Sequence, residues 1–164
     1  MVLHIATSQD GFIAASDHGL DWLPAPGQEE DYGLGAFIDE VDAVVMGRIT
    51  WDVVSGFDEE PFPGKEVVIM SRATGDAAQI ISEMKQQQGG TIWLLGGGIL
   101  NGHCFQAGLI DEIVITVIPT KLTTGITLWG EESVDLSKDW FMEKTTYPDG
   151  VCQEKWLPKT ANSN

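Results

Sequence analysis

Only two arginines occur among the 164 residues, and each stands directly behind a short apolar, β-branched run. Arg48 follows Val44-Val45-Met46-Gly47, with Thr50 two residues further on, and Arg72 follows Val67-Val68-Ile69-Met70-Ser71. A guanidinium beside a hydroxyl makes forked, charge-assisted hydrogen bonds to phosphate oxygens. A third run, Ile92-Trp93-Leu94-Leu95-Gly96-Gly97-Gly98-Ile99-Leu100, places three glycines at a strand-to-helix junction. Their missing Cβ atoms leave room for a pyrophosphate or a ring against the backbone, and a helix start offers free N–H groups and the positive end of its dipole. Nine Lys+Arg against 25 Asp+Glu give a net charge of −16. Two arginines on one edge would then form the local positive site that a polyanion requires. Each feature also has a purely structural reading: Gly47 can serve turn geometry alone, and the two arginines can share an edge by chance.

Other chemistries are set aside on residue type and spacing. There is no GxxxxGK[ST] loop, no GxGxxG after the first strand and no GxSxG elbow. His4, His18 and His103 lack metal-ligand spacing, and His103-Cys104 reads as a helix-buried pair, so no metal site is expected. The acidic clusters Glu29-Glu30-Asp31 and Glu131-Glu132 read as solvated faces. Asp31 is the exception, because it opens the helix leading to the Gly47-Arg48 strand. Asp10, in Asp10-Gly11, reads as a turn residue unless it meets a substrate.

The elements that must position these residues follow from hydrophobic periodicity. Val2–Thr7, Ala43–Met46, Glu66–Met70, Thr91–Leu95 and Ile113–Ile118 are short, nearly unbroken apolar runs, as expected of strands buried on both faces of a parallel sheet. Gly35–Val41 and Asp76–Gln88 carry apolar residues at helical spacing, and Gly89-Gly90 ends the second. The alternation predicts an α/β fold with right-handed crossovers, whose strand C-termini form the ligand-binding edge. Asp139–Tyr147, the turn Pro148-Asp149-Gly150 and Val151–Leu157 predict an antiparallel hairpin closing the sheet. The length fits one domain over residues 1–158, with 159–164 as a frayed polar tail. With 43% apolar and 21% charged residues the composition is globular. The acidic charge disfavours nucleic acid and membrane surfaces. Two isolated cysteines, no apolar run of membrane length and no secretory leader lead us to expect a cytoplasmic protein.

Five segments in order carry a resemblance to a known family: Ser8-Gln9-Asp10-Gly11-Phe12-Ile13-Ala14, Met46-Gly47-Arg48-Ile49-Thr50-Trp51, Met70-Ser71-Arg72, Leu95-Gly96-Gly97-Gly98-Ile99-Leu100 and Gly108-Leu109-Ile110-Asp111-Glu112-Ile113. From Val2 to Leu157 the chain resembles the dihydrofolate reductase-like superfamily. It looks closest to stand-alone relatives of the reductase half of the bifunctional RibD deaminase–reductase of riboflavin biosynthesis. The resemblance implies a three-layer α/β/α fold, NADPH as cofactor and hydride transfer. It places Gly47, Arg48 and Thr50 on the adenosine-side phosphates, and Ser71 and Arg72 on the 2′-phosphate and adenine edge. Gly96, Gly97 and Gly98 would lie under the pyrophosphate and nicotinamide, flanked by Leu95 and Ile99, while Ala6 and Ile13 would line the nicotinamide pocket.

Departures from the pattern narrow the subclass. Asp31 falls where dihydrofolate reductases keep the carboxylate that binds the pterin edge. The stacking aromatic four residues on is Gly35, and the arginine that clamps the folate carboxylate is replaced by Lys65, which cannot make the same fork. The deaminase signature H-x-E with P-C-x-x-C is also missing. The expectation is therefore an NADPH-dependent reductase of a small heterocycle or carbonyl compound, similar to 5-amino-6-(5-phosphoribosylamino)uracil reductase. Asp31 or Asp10 would act as acid or orienting group. The alternatives are a divergent dihydrofolate reductase and a nucleotide-binding dimer without chemistry. A homodimer is expected from the surplus of large rings, six tryptophans including Trp129, Trp140 and Trp156.

Overall fold

The structure is a computed structural model that describes residues 1–24, 30–58, 60–87 and 89–159. Strands β1 (Val2–Ser8), β3 (Val41–Gly47), β4 (Glu66–Met70), β5 (Thr91–Gly96) and β6 (Glu112–Ile118) lie parallel, in the order β4-β3-β5-β1-β6. The hairpin of β8 (Trp140–Thr146) and β9 (Cys152–Pro158) then adds antiparallel through β9. This is the expected closure of a mostly parallel sheet. Its turn is held by the Tyr147 amide donating to the Val151 carbonyl at 2.8 Å and the Val151 amide to Asp149 Oδ1 at 3.0 Å, with Gly150 at φ 87°.

Helices cover both faces. Alternation along β3 sends Ala43 and Val45 to one side, where they meet α3 (Ala77–Gln87) and α4 (Gly98–Gln106) through Ile81, Leu100 and Cys104. Val44 and Met46 go to the other side, toward α1 (Leu34–Glu40) and α2 (Arg48–Val54) through Phe37, Ile38, Trp51 and Val54. Leu3, Val44, Val45, Met46, Leu94 and Ile113 are fully buried, each contributing about 1.5–3 kcal/mol through burial. That double coverage explains the unbroken apolar runs. Asp76 caps α3, its Oδ1 accepting from the Ala78 amide at 2.9 Å.

Several details differ from the sequence reading. The first helix ends at Glu40, and Val41, extended at φ −83° and ψ 130°, begins β3. Its apolar spacing continues the helical face, but the chain uses Val41 for strand pairing with Thr91. His103 and Cys104 are not a buried pair: Cys104 is buried and His103 exposed, because neighbouring helical residues point about 100° apart. Trp129, Trp140 and Trp156 pack against the main core; the exposed apolar residues of the hairpin are Phe141, Met142 and Leu157. Lys159, the first residue of the expected tail, is tied to the sheet: its amide donates to the Asp139 carbonyl at 2.8 Å. Residues 160–164 lie outside the described residues. A small antiparallel ribbon of β2 (Phe12–Ala14) and β7 (Ile126–Thr127) was not foreseen. Among the described residues no helix is long and apolar enough to cross a membrane.

Candidate active site

A cavity of about 490 Å³ lies between the sheet and the α1–α2 layer, toward the C-terminal ends of the parallel strands. Its floor is built by alternate sheet residues: His4 and Ala6 of β1, Trp93 and Leu95 of β5, Thr116 and Ile118 of β6. One wall is α2, through Ile49, Thr50, Val53 and Val54. Opposite it stand the β2–β7 ribbon, through Ile13, Ala14 and Ile126, and the segment after β2, through His18, Leu20, Leu23 and Pro24. Glu30, Asp31 and Tyr32, just ahead of α1, and Leu34, its first residue, close one end. A concave, mainly apolar chamber with a few polar groups at one end is the usual form of a small-molecule site.

Polar bonding ties that end to β9 and the turn before it. Gln153 Nε2 donates to the Tyr32 carbonyl at 2.9 Å and to Thr116 Oγ1 at 3.1 Å, and the Tyr32 hydroxyl bonds to Asp149. Tyr32 sits at φ 55°, a left-handed conformation uncommon outside glycine, and its hydroxyl pKa is pushed up to about 12, mainly by the bond to Asp149. Asp31 accepts the amides of Gly33 at 2.9 Å and Gly35 at 3.0 Å. These bonds hold its carboxyl below the ordinary carboxylate value. Ionised at neutral pH, Asp31 suits an orienting anion better than a proton donor.

Asp10 is placed elsewhere. It is not on the cavity wall; its carboxylate accepts from Ser8 Oγ at 2.7 Å and from the Leu122 and Thr123 amides at 3.1 and 2.8 Å. The Ser8 hydroxyl first, with these amides, draws its pKa down to about 2. The geometry makes Asp10 a clamp on the loop after β6.

His4 was dismissed at the sequence level for lack of ligand spacing, yet it lines the inner wall. It is only 7% exposed, and its Nδ1 has no hydrogen-bond partner among the described residues. Its ring meets Phe37 edge-on, with centroids 4.6 Å apart. Burial lowers its pKa to about 4, against the opposing pull of Glu112, so it is neutral at pH 7. Nothing in a lone histidine within Val2-Leu3-His4-Ile5 signals this; only the packing of Phe37 and Trp93 over β1 does.

The glycine-rich edge divides by role. A Cβ on Gly47 would lie 3.8 Å from the Gly96 carbonyl oxygen and the Gly97 nitrogen, so the ends of β3 and β5 meet backbone to backbone. A Cβ on Gly97 would lie 3.5 Å from Thr50 Oγ1, and Gly97 and Thr50 both line the cavity. This Cβ-free notch beside a hydroxyl has the form of a cradle for a cofactor phosphate and ring. Gly98 has an internal reason: a Cβ there would come within 2.1 Å of the Thr127 carbonyl oxygen. The Gly96–Gly97 peptide is cis.

The two arginines do share an edge. Gly47 and Met70 pair in register across β3 and β4, and Arg48 and Arg72 follow them directly or after Ser71. Both are exposed, and among the described residues neither takes part in an ion pair. Ser71 and Thr74 fold the Arg72 turn, the Ser71 amide donating to Thr74 Oγ1 at 2.9 Å. Arg72 and Ile99 border a smaller cleft with His103, Trp129, Glu131 and Glu132, apart from the main cavity. Thus Ala6, Ile13, Thr50, Leu95, Gly97 and Asp31 are brought together on the cavity. Gly47, Arg48, Ser71, Arg72, Gly96, Gly98 and Ile99 are not on its wall. Lys65 is also off the cavity, its Nζ donating to the Val41 carbonyl at 2.7 Å.

Residues 64–151 match the family model of the RibD C-terminal domain. The uncharacterized Bacillus subtilis (strain 168) protein YwjB is 34% identical over 143 residues, covering 79% of this chain and 82% of its own length. A candidate riboflavin biosynthesis protein from Shewanella sp. PV-4 superposes with a TM-score of 0.76 at 29% identity, over 96% of this chain and 98% of that one. The Enterococcus faecalis dihydrofolate reductase complexed with NADP(H) and RAB-propyl superposes with a TM-score of 0.70 at 17% identity, over 97% and 96% of the two chains, which shows a shared fold. With the family model matching more than half of the chain, the chain belongs to the RibD C-terminal domain family.

Proposed function

We propose that the protein is an NADPH-dependent reductase that transfers a hydride to a small heterocyclic or carbonyl substrate, related to the aminouracil reductases of riboflavin biosynthesis, and that it works as a homodimer. The observation that carries this reading is the continuity of the Gly47–Gly97–Thr50 notch with the apolar cavity. When bound, NADPH supplies the hydride. Thr50, Gly97 and the backbone ends of β3 and β5 would hold it, with Arg48, Ser71 and Arg72 taking its phosphates along the neighbouring strand ends. Ala6, Ile13 and Leu95 shape an apolar slot for a flat ring and keep water from it. Asp31, ionised, orients the substrate's N–H edge, and Thr116, fixed by Gln153, offers its hydroxyl from the floor. The folate alternative is disfavoured because Lys65 is engaged with Val41 and the residue four beyond Asp31 is a glycine.

The test is NADPH oxidation followed by absorbance, with dihydrofolate and with aminouracil ribosides as separate substrates. Turnover of an aminouracil, with dihydrofolate far below the ordinary enzyme median of about 10 s⁻¹, supports the reading. Rapid dihydrofolate turnover, or no NADPH binding by calorimetry, refutes it.

A further inference from the structure

We infer that the cavity takes an unphosphorylated heterocycle, neutral or cationic, and rejects phosphate esters of the same ring. The inference rests on the reductase reading above and specifies its substrate class. The charge pattern of the wall carries it. Glu30 and Asp31 close one end of the cavity, and Asp31 is held ionised by the Gly33 and Gly35 amides. Each of these carboxylates also keeps free lone pairs for N–H donors.

No lysine or arginine balances them. All nine Lys and Arg lie among the described residues, and none is on the cavity wall. Lys65, Lys85, Lys155 and Lys159 are engaged elsewhere, with the Val41 carbonyl, Asp111, Glu112 and the Ser137 carbonyl. Lys121, Lys138 and Lys144 are exposed away from the wall. Arg48 and Arg72 stand at the β3 and β4 ends, on the side assigned to the cofactor. Two histidines line the wall, His4 and His18; His4, on the inner wall, is neutral at pH 7 and adds no positive charge.

A phosphate monoester carries nearly two negative charges at pH 7. Entering this cavity, it would exchange water for apolar side chains and come beside two solvent-exposed carboxylates, with no lysine or arginine on the wall to pair it. Desolvation and like-charge repulsion both oppose that. An uncharged lactam or amino-substituted ring meets neither penalty and satisfies the carboxylates through its N–H groups.

The experiment titrates the chain with 5-amino-6-ribosylaminouracil and, separately, with its 5′-phosphate, by calorimetry at pH 7.5. NADPH is titrated on its own in a parallel series. The expected result is at least tenfold tighter binding of the unphosphorylated compound, with that ratio falling threefold or more in the Glu30→Gln/Asp31→Asn double variant. Equal or tighter binding of the phosphate, binding of neither compound up to millimolar concentration, or a ratio unchanged in the double variant overturns the inference. The NADPH series separates the two claims. A preserved preference without NADPH binding counts against the reductase reading alone, whereas NADPH binding with a preference for the phosphate counts against this inference alone.

Discussion

Replacing His4 by leucine should remove an acid-sensitive element from the fold. The His4 pKa lies at about 4 in the folded chain against an ordinary 6.5, because burial disfavours the imidazolium more than Glu112 favours it. Between these values the unfolded chain binds a proton that the folded chain does not. The stability tied to neutral His4 is therefore complete above pH 6.5 and lost as pH falls toward 4. The whole gap is worth about 3 kcal/mol, and most of it is lost between pH 7.5 and 4.5. The carboxylates with lowered values, Asp10 at about 2 and also Asp31, Asp111, Asp135 and Asp149, lose their contribution at lower pH and are common to both proteins. Urea denaturation of wild type and His4→Leu at pH 7.5, 6.0 and 4.5 isolates the histidine. The stability difference should move by about 2–3 kcal/mol in the variant's favour on acidification. Parallel pH profiles would refute both the burial argument and the neutrality of His4 on the cavity wall. At pH 7.5 the variant also discards a buried Nδ1 that has no partner, which limits what the substitution costs.

Three further outcomes follow from the same structure. Arg72→Ala should weaken NADPH by about 10- to 100-fold, the loss of one charge-assisted bond of about 1.5–3 kcal/mol, and leave NADH nearly unchanged; equal losses in calorimetry would remove Arg72 from the 2′-phosphate. Gly98→Ala forces a methyl to within 2.1 Å of the Thr127 carbonyl oxygen, so it should destabilise by about 1–3 kcal/mol. The melting temperature should then fall by about 2–4 °C for each kcal/mol, and an unchanged melting curve would contradict the close approach. Light scattering should give a mass near twice 17.8 kDa. The contact would use the edge strand β8, whose Phe141 and Met142 are exposed; a mass of one chain at micromolar concentration would exclude it.

The parallel core was legible in the sequence because strands buried on both faces must be apolar at every position, a signal that survives without tertiary context. The closing hairpin was legible because Pro148-Asp149-Gly150 can serve little except a turn. Arg48, Arg72 and the triple glycine could be placed on one edge, since right-handed crossovers put every parallel strand end on the same side. Local pattern does not carry the closure of space between layers. His4 lies among apolar neighbours and gives no sign that Phe37 and Trp93 will bury it on a cavity wall. Asp10 and Asp31 are both acids beside turns, yet the loop after β6 folds onto Asp10 as a clamp while Asp31 faces the cavity. Gly98 reads like Gly97, but only the approach of the β7 strand, which comes about 30 residues later in the chain, reserves its missing Cβ for a carbonyl. Those assignments depend on long-range packing, in which a residue's role is set by the element that arrives opposite it, and one chain read in order does not record that arrival.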